Sequence, residues 1–233
     1  VGSSVARESD DVFYTWAGPE IAVASTKAYT TQMIALYMIA LDLGLTKGTI
    51  TEQFYFEMIE KMKQLPEKVE RILENYENIK EVAEEIKDSK SAFYLGRGLD
   101  YQTAMEGALK LKEISYIHTE AFAAGELKHG PIALIDKEMP VVVVAPDNSL
   151  MDKLVSNIEE VRARGALLYI FVSEQAHLKE DSQTRKVSLP DWPEILQPVL
   201  FTRPLQLLAY RCAVINGTDV DQPRNLAKSV TVE

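Results

Sequence analysis

Glu106, Lys110 and Glu113 stand at i, i+4 and i+7 in the stretch MEGALKLKEISYI. At about 100° per residue, that spacing puts all three on one narrow face of a helix. Ala104, Met105, Ala108, Leu109, Leu111, Ile114 and Tyr116 fill most of the remaining circumference, the pattern of a helix inside a domain. Charges on such a helix must face a wet pocket or one another, because unpaired buried charge is too costly to keep. Two readings are open. Glu113 offers a carboxylate that can move a proton between adjacent carbons beside a carbonyl or imine, with Lys110 neutralising a developing oxyanion or exchanging a hydroxyl proton. Alternatively, the three form an ion-pair stripe worth roughly a few tenths of a kcal/mol.

Downstream, EAFAAGELKHGPI places Glu126, Lys128 and His129 between Gly125 and Gly130-Pro131, which predicts a short structured turn over 120–132. A histidine there suits general acid–base work, since its unperturbed pKa lies near neutrality, and it equally suits a hydrogen-bonded surface position. Lys228, in the tail segment NLAKSVTVE, is a solvated charge unless the tail folds back. In that case desolvation lets a lysine amine form a Schiff base with a ketone.

The elements that must position these groups alternate. Residues 92–95, 139–145 (MPVVVVA), 167–172 and 185–189 read as strands, and residues 102–117, 149–164 and 195–216 as helices, the last bent by Pro198 and Pro204. Unbroken Val/Ile/Leu strands separated by helices predict an α/β fold: a parallel sheet with helices on both faces, three layers in all. Ligands of such sheets collect at the carboxyl ends of the strands. Gly96-Arg97-Gly98 lies at one such end but lacks the spacing of a dinucleotide fingerprint.

Upstream lies a helical appendage. VFYT at 12–15 reads as a short strand, Ser25-Thr26 as the N-cap of an apolar helix from Lys27 to Leu43 closed by Gly44, and residues 51–88 as charged helix interrupted at Leu65-Pro66. The Glu/Lys richness of 51–88 reads as a solvated face, and the apolar run from Met33 to Leu45 as a surface that seeks a partner, predicting an oligomer.

A net charge of −10 over 233 residues argues against non-specific binding to nucleic acid or anionic membrane. One cysteine, Cys212, excludes an internal disulfide and fits a reducing, cytoplasmic setting, where it reads as inert core filler. His118, His129 and His177 have no metal-ligand spacing, so the pattern calls for no metal and no cofactor. No apolar stretch reads as long enough to span a membrane.

VGSSVARESD at 1–10, AGPEIAVASTKAYTTQ at 17–32, MEGALKLKEISYIHTEAFAAGELKHGPIALI at 105–135 and DVDQPRNLAKSVTVE at 219–233 together resemble the isomerase half of the glutamine–fructose-6-phosphate amidotransferases, built from sugar-isomerase (SIS) domains. The resemblance implies conversion of fructose 6-phosphate and glutamine-derived ammonia to glucosamine 6-phosphate. It implies that Lys228 forms the Schiff base at the ketose carbonyl and that Glu113 carries a proton from C1 to C2. It further makes Lys110 the assistant in hydroxyl proton exchange and Glu106 the carboxylate supporting a histidine. His129 is implied to open the sugar ring from the neighbouring subunit of a homodimer, with Val23, Ser25 and Ala227 contacting the sugar. By the same resemblance, residues 1–45 are the end of a first SIS module, 46–90 a connector, 91–215 a second module and 216–233 an active-site tail. A glutaminase domain and most of the first module, with its phosphate-gripping loop, are then expected upstream of Val1, leaving this stretch alone without glutamine-dependent synthesis. Another SIS sugar-phosphate enzyme, such as a deaminase or deglycase, and a non-catalytic sugar-phosphate sensor are the alternatives.

Overall fold

A five-stranded parallel sheet, in the order β2-β1-β3-β4-β5, organises the chain. The computed structural model describes residues 2–74, 76–176, 178 and 180–229; His177 and residues 230–233 of the tail motif lie outside them. The strands are β1 (Ser91–Gly96), β2 (His118–Ala123), β3 (Pro140–Ala145), β4 (Leu167–Ser173) and β5 (Thr184–Leu189). Their alternation divides the core. Ala92, Tyr94, Val142, Val144, Tyr169 and Phe171 face one layer of helices. Phe93, Leu95, Val141, Val143, Leu168 and Ile170 face the other. A strand covered on both sides needs apolar residues at every position, which is why β3 reads PVVVVA and is buried throughout. Each fully buried valine side chain there contributes about 1.5–3 kcal/mol.

On the first face lie α4 (Leu65–Glu74), α5 (Glu77–Ile86), α6 (Leu99–Ser115) and α8 (Gln197–Ile215). On the second lie α7 (Met151–Arg162) and two 3₁₀ turns, Ala124–His129 and Pro131–Leu134. The strand order reverses between β1 and β3, so α6 leaves the sheet at the topological switch point. Upstream come α1 (Ser4–Glu8), the long α2 (Lys27–Thr46) and α3 (Glu52–Lys63).

Four expectations are corrected. Residues 12–15 form no strand: they have no ladder partner, and Phe13, Tyr14 and Trp16 stand exposed. Of the turn expected over 120–132, residues 120–123 are instead strand: with His118 and Thr119 they pair with β1 in parallel from Ser91↔His118 to Gly96↔Ala123. An edge strand tolerates polar residues because only part of it is covered. Gly44 does not close α2. It lies inside the helix, where an added Cβ would stand 3.3 Å from Ile50, so its smallness admits the following turn. Finally, α2 is long and apolar enough, by length and composition, to cross a membrane, which the sequence reading had ruled out. It packs Met33, Ile34 and Tyr37 onto the core and leaves Leu36, Ile39 and Leu43 exposed.

Candidate active site

α6 delivers the acidic–basic stripe as the spacing predicts. Lys110 Nζ stands 2.7 Å from Glu113 Oε2 and 3.6 Å from Glu106 Oε1. The Lys110 and Glu106 side chains are only 5% and 9% exposed. Glu113 keeps 23% and is the carboxylate a solute reaches more easily. From α8, the Gln206 Nε2 amide donates to Glu106 Oε1 at 3.2 Å. Burial raises the Glu106 pKa; the Lys110 charge and the Gln206 hydrogen bond oppose that rise, and the Glu113 charge adds to it. The buried pair is thus compensated on both sides, as a charge in a core must be.

The remaining circumference of α6 departs from the sequence reading. Met105 and Leu109 are substantially exposed. With Tyr29, Glu106 and residues of β2 they line an open cleft of about 670 Å³. The helix also ends at Ser115, with Tyr116 beyond it in a left-handed conformation (φ 64°).

Tyr116 is where the tail is fastened. Its hydroxyl accepts the Arg224 backbone N–H at 2.8 Å, and the Arg224 guanidinium lies 4.1 Å over its ring. Thr218 Oγ1 donates to the Ile114 carbonyl at 2.6 Å, and the Val23 N–H donates to the Asp221 carbonyl at 2.9 Å. These bonds turn a polar segment back across the N-terminal loop. Lys228 Nζ consequently donates to the Val23 carbonyl at 3.3 Å and stands 3.7 Å from Glu20 Oε2.

Glu20 is the residue that sequence reasoning missed. It accepts from Ser25 Oγ at 3.0 Å and from the Thr26 N–H at 2.7 Å, so a carboxylate six residues upstream caps α2 in place of the Thr26 hydroxyl. Burial pushes the Glu20 pKa up, but the hydrogen bonds from Thr26, Ser25 and Ala28 and the Lys228 charge together lower it. No local pattern marks such a cap, because its partners come from a turn and from the far end of the chain.

Val23, Ser25 and Lys228 are therefore gathered around Glu20, with Ala227 exposed beside them, while Glu106, Lys110 and Glu113 are gathered on α6. Tyr29 lines the same cleft as Glu106, and Arg203 on α8 feels the charges of Glu106, Tyr29 and Glu20. Burial pulls the Arg203 pKa down to about 10 against the charges of Glu106, Tyr29 and Glu20. Its Nε and Nη2 are shielded from solvent without a hydrogen-bond acceptor. His129 is not brought to the stripe. It sits in a 3₁₀ turn, 63% exposed, 3.8 Å from Glu126 Oε2.

The SIS domain family matches residues 85–216, from the end of α5 through α8. The chain belongs to the SIS domain family. Two curated relatives, both named glutamine–fructose-6-phosphate aminotransferase (isomerizing), align along almost its entire length. The one from Caldanaerobacter subterraneus subsp. tengcongensis is 57% identical over 100% of the chain, and the one from Pseudomonas syringae pv. tomato is 54% identical over 99%. The chain spans 38% of the length of each. Among solved structures, the C-terminal domain of the glucosamine-fructose-6-phosphate aminotransferase from Francisella tularensis superposes with a TM-score of 0.90 at 46% identity, over 95% of this chain and 62% of that one. The SIS match thus covers the sheet and α6, whereas Glu20, Val23, Ser25 and Lys228 lie outside it.

Proposed function

We propose that this chain is the C-terminal isomerase part of a glutamine–fructose-6-phosphate aminotransferase, the parent of which converts fructose 6-phosphate and glutamine-derived ammonia to glucosamine 6-phosphate. The observation that carries the proposal is the folded-back tail, which sets an amine, Lys228, against Val23 on the loop that also carries Ser25. Lys228 keeps 45% of its side chain exposed, yet the Val23 carbonyl and the Glu20 carboxylate hold its amine against that loop.

In this reading, the Lys228 amine adds to the C2 carbonyl of the ketose and expels water as the imine forms. Ammonia displaces the lysine from that imine, releasing the Lys228 amine. Glu113, the more accessible carboxylate, removes a proton from C1 and returns it to C2. Lys110, 2.7 Å from Glu113, exchanges the proton of the C1 hydroxyl as that carbon becomes the aldehyde. Val23, Ser25 and Ala227 border the sugar. His129 is exposed because it serves the site of a second copy in a homodimer, opening the sugar ring and meeting the partner's carboxylate side. The exposed apolar side of α2 is covered by the rest of the first SIS module, which with the glutaminase domain belongs to the longer parent; residues 46–90 are the connector between the modules. The setting is cytoplasmic.

Glu113→Gln in the intact parent tests the reading. Glucosamine 6-phosphate formation should fall at least about 100-fold, a typical general acid–base contribution, with fructose 6-phosphate affinity within a few-fold of the wild-type value. Unchanged turnover would reject the role of Glu113. A parent that makes no glucosamine 6-phosphate at all would reject the function.

A further inference from the structure

Glu20 divides its two carboxylate oxygens between two tasks. Oε1 accepts from the Thr26 N–H at 2.7 Å and from Thr26 Oγ1 at 3.2 Å, which caps α2. Oε2 accepts from Ser25 Oγ at 3.0 Å and stands 3.7 Å from Lys228 Nζ. A cap needs only the first oxygen. The second is shared by a hydroxyl and an amine that arrive from near the two ends of the chain. An ion pair between two mobile surface side chains is worth little, because both must be ordered to form it. Here one is ordered already: the Glu20 side chain is only 11% exposed and is fixed by Ser25 and Thr26. The tail backbone is docked separately, through Thr218, Asp221 and Arg224. Glu20 therefore acts on the head of the lysine and not on the course of the chain.

We propose that Glu20 is a positioning residue: its Oε2 holds the Lys228 nitrogen beside Val23 and Ser25, toward the sugar that those two residues border. This rests on the function proposed above and adds a residue to it. The Val23 carbonyl, 3.3 Å from Lys228 Nζ, and Glu20 Oε2 are the two acceptors that fix the nitrogen. The carboxylate suits both states of that nitrogen. An ammonium and a ketone give an iminium and water, so the nitrogen carries one positive charge before the reaction and after it. The same anion stands beside both. A nucleophile held in place in this way forms its bond without first being ordered, which is where the gain in rate arises.

Glu20→Gln separates the two tasks: its amide oxygen can still cap α2, while the amide nitrogen is a donor and no longer attracts a cation. In this chain, ¹⁵N relaxation of the lysine ammonium groups, with Lys228 assigned by Lys228→Met, measures how firmly the head is held. The Lys228 order parameter should fall by about a third or more in Glu20→Gln. No fall, or a fall accompanied by lost amide protection of α2, overturns the proposal. If the variant does not fold, the wild-type chain decides: a Lys228 ammonium no more ordered than the mean of the other lysines overturns it as well. In the intact parent, cyanoborohydride with saturating fructose 6-phosphate and no ammonia should trap Lys228 at least about 10-fold more slowly in Glu20→Gln, with KM for fructose 6-phosphate in synthesis within about threefold. Wild-type trapping in that variant would mean that Glu20 only caps α2, and overturns the positioning role. A wild-type parent that traps no sugar on Lys228 removes the proposed function and with it the positioning role. That failure is told apart from a failure at Glu20 because the relaxation measurement needs no sugar.

Discussion

At the residue scale, the chain keeps ionisable groups where burial alone would remove them, and each survives on a particular partner. Asp100 shows the cost. It is buried in the first turn of α6 and accepts from Asn148 Nδ2 at 2.9 Å. Burial, helped by the Glu194 charge and opposed by Asn148, pushes its pKa up to about 7. The folded state therefore holds a proton that the unfolded chain, with an aspartate near 3.8, has already released. Stability must fall as pH rises from about 4 to about 7. Asp100→Asn should remove that loss, raising stability by about 2 kcal/mol at pH 8 and by much less at pH 4. This is below the ~4 kcal/mol that three pH units imply, because an amide at 100 is a weaker acceptor for the Asn148 N–H than the carboxylate it replaces. Urea unfolding at the two pH values measures it, and an equal effect at both would refute the assignment. Residues of this kind were legible only in part. The Glu106–Lys110–Glu113 stripe follows from helical spacing, whereas Glu20 gains its meaning from neighbours that no local pattern predicts.

At the scale of elements, the buried strands were readable because coverage on both faces leaves them no polar positions, as in β3 and β4. β2 was not readable, since an edge strand can be HTEAFA. VFYT misled in the opposite direction: its composition suits a strand, but in this chain it has nothing to pair with. The seating of α6 depends on a close approach that sequence also hides. A Cβ on Gly107 would stand 2.8 Å from Leu205 Cδ1 on α8 and 2.9 Å from the ring of Tyr94 on β1. Gly107→Ala should therefore destabilise the fold by about 1–2 kcal/mol, since the steric cost exceeds the gain in helix propensity. A lower urea midpoint with an unchanged m-value is the expected result. A raised midpoint would mean that α8 yields easily and does not fix the stripe.

At the scale of the whole molecule, the two ends of the chain meet. Residues 20–26 and 218–228 come together through the Val23–Asp221 and Lys228–Val23 hydrogen bonds, and Thr218 and Arg224 tie the tail to the end of α6. That closure was not legible from a polar tail with little apolar pattern; only the family resemblance anticipated it. The central claim is that the amine so positioned is the one that attacks the ketose. The direct measurement is reductive trapping in the intact parent: fructose 6-phosphate plus cyanoborohydride without ammonia, followed by peptide mass spectrometry. The account predicts a reduced sugar-phosphate adduct on Lys228 that disappears in Lys228→Met. An adduct confined to other lysines, with Lys228 unmodified, would contradict it.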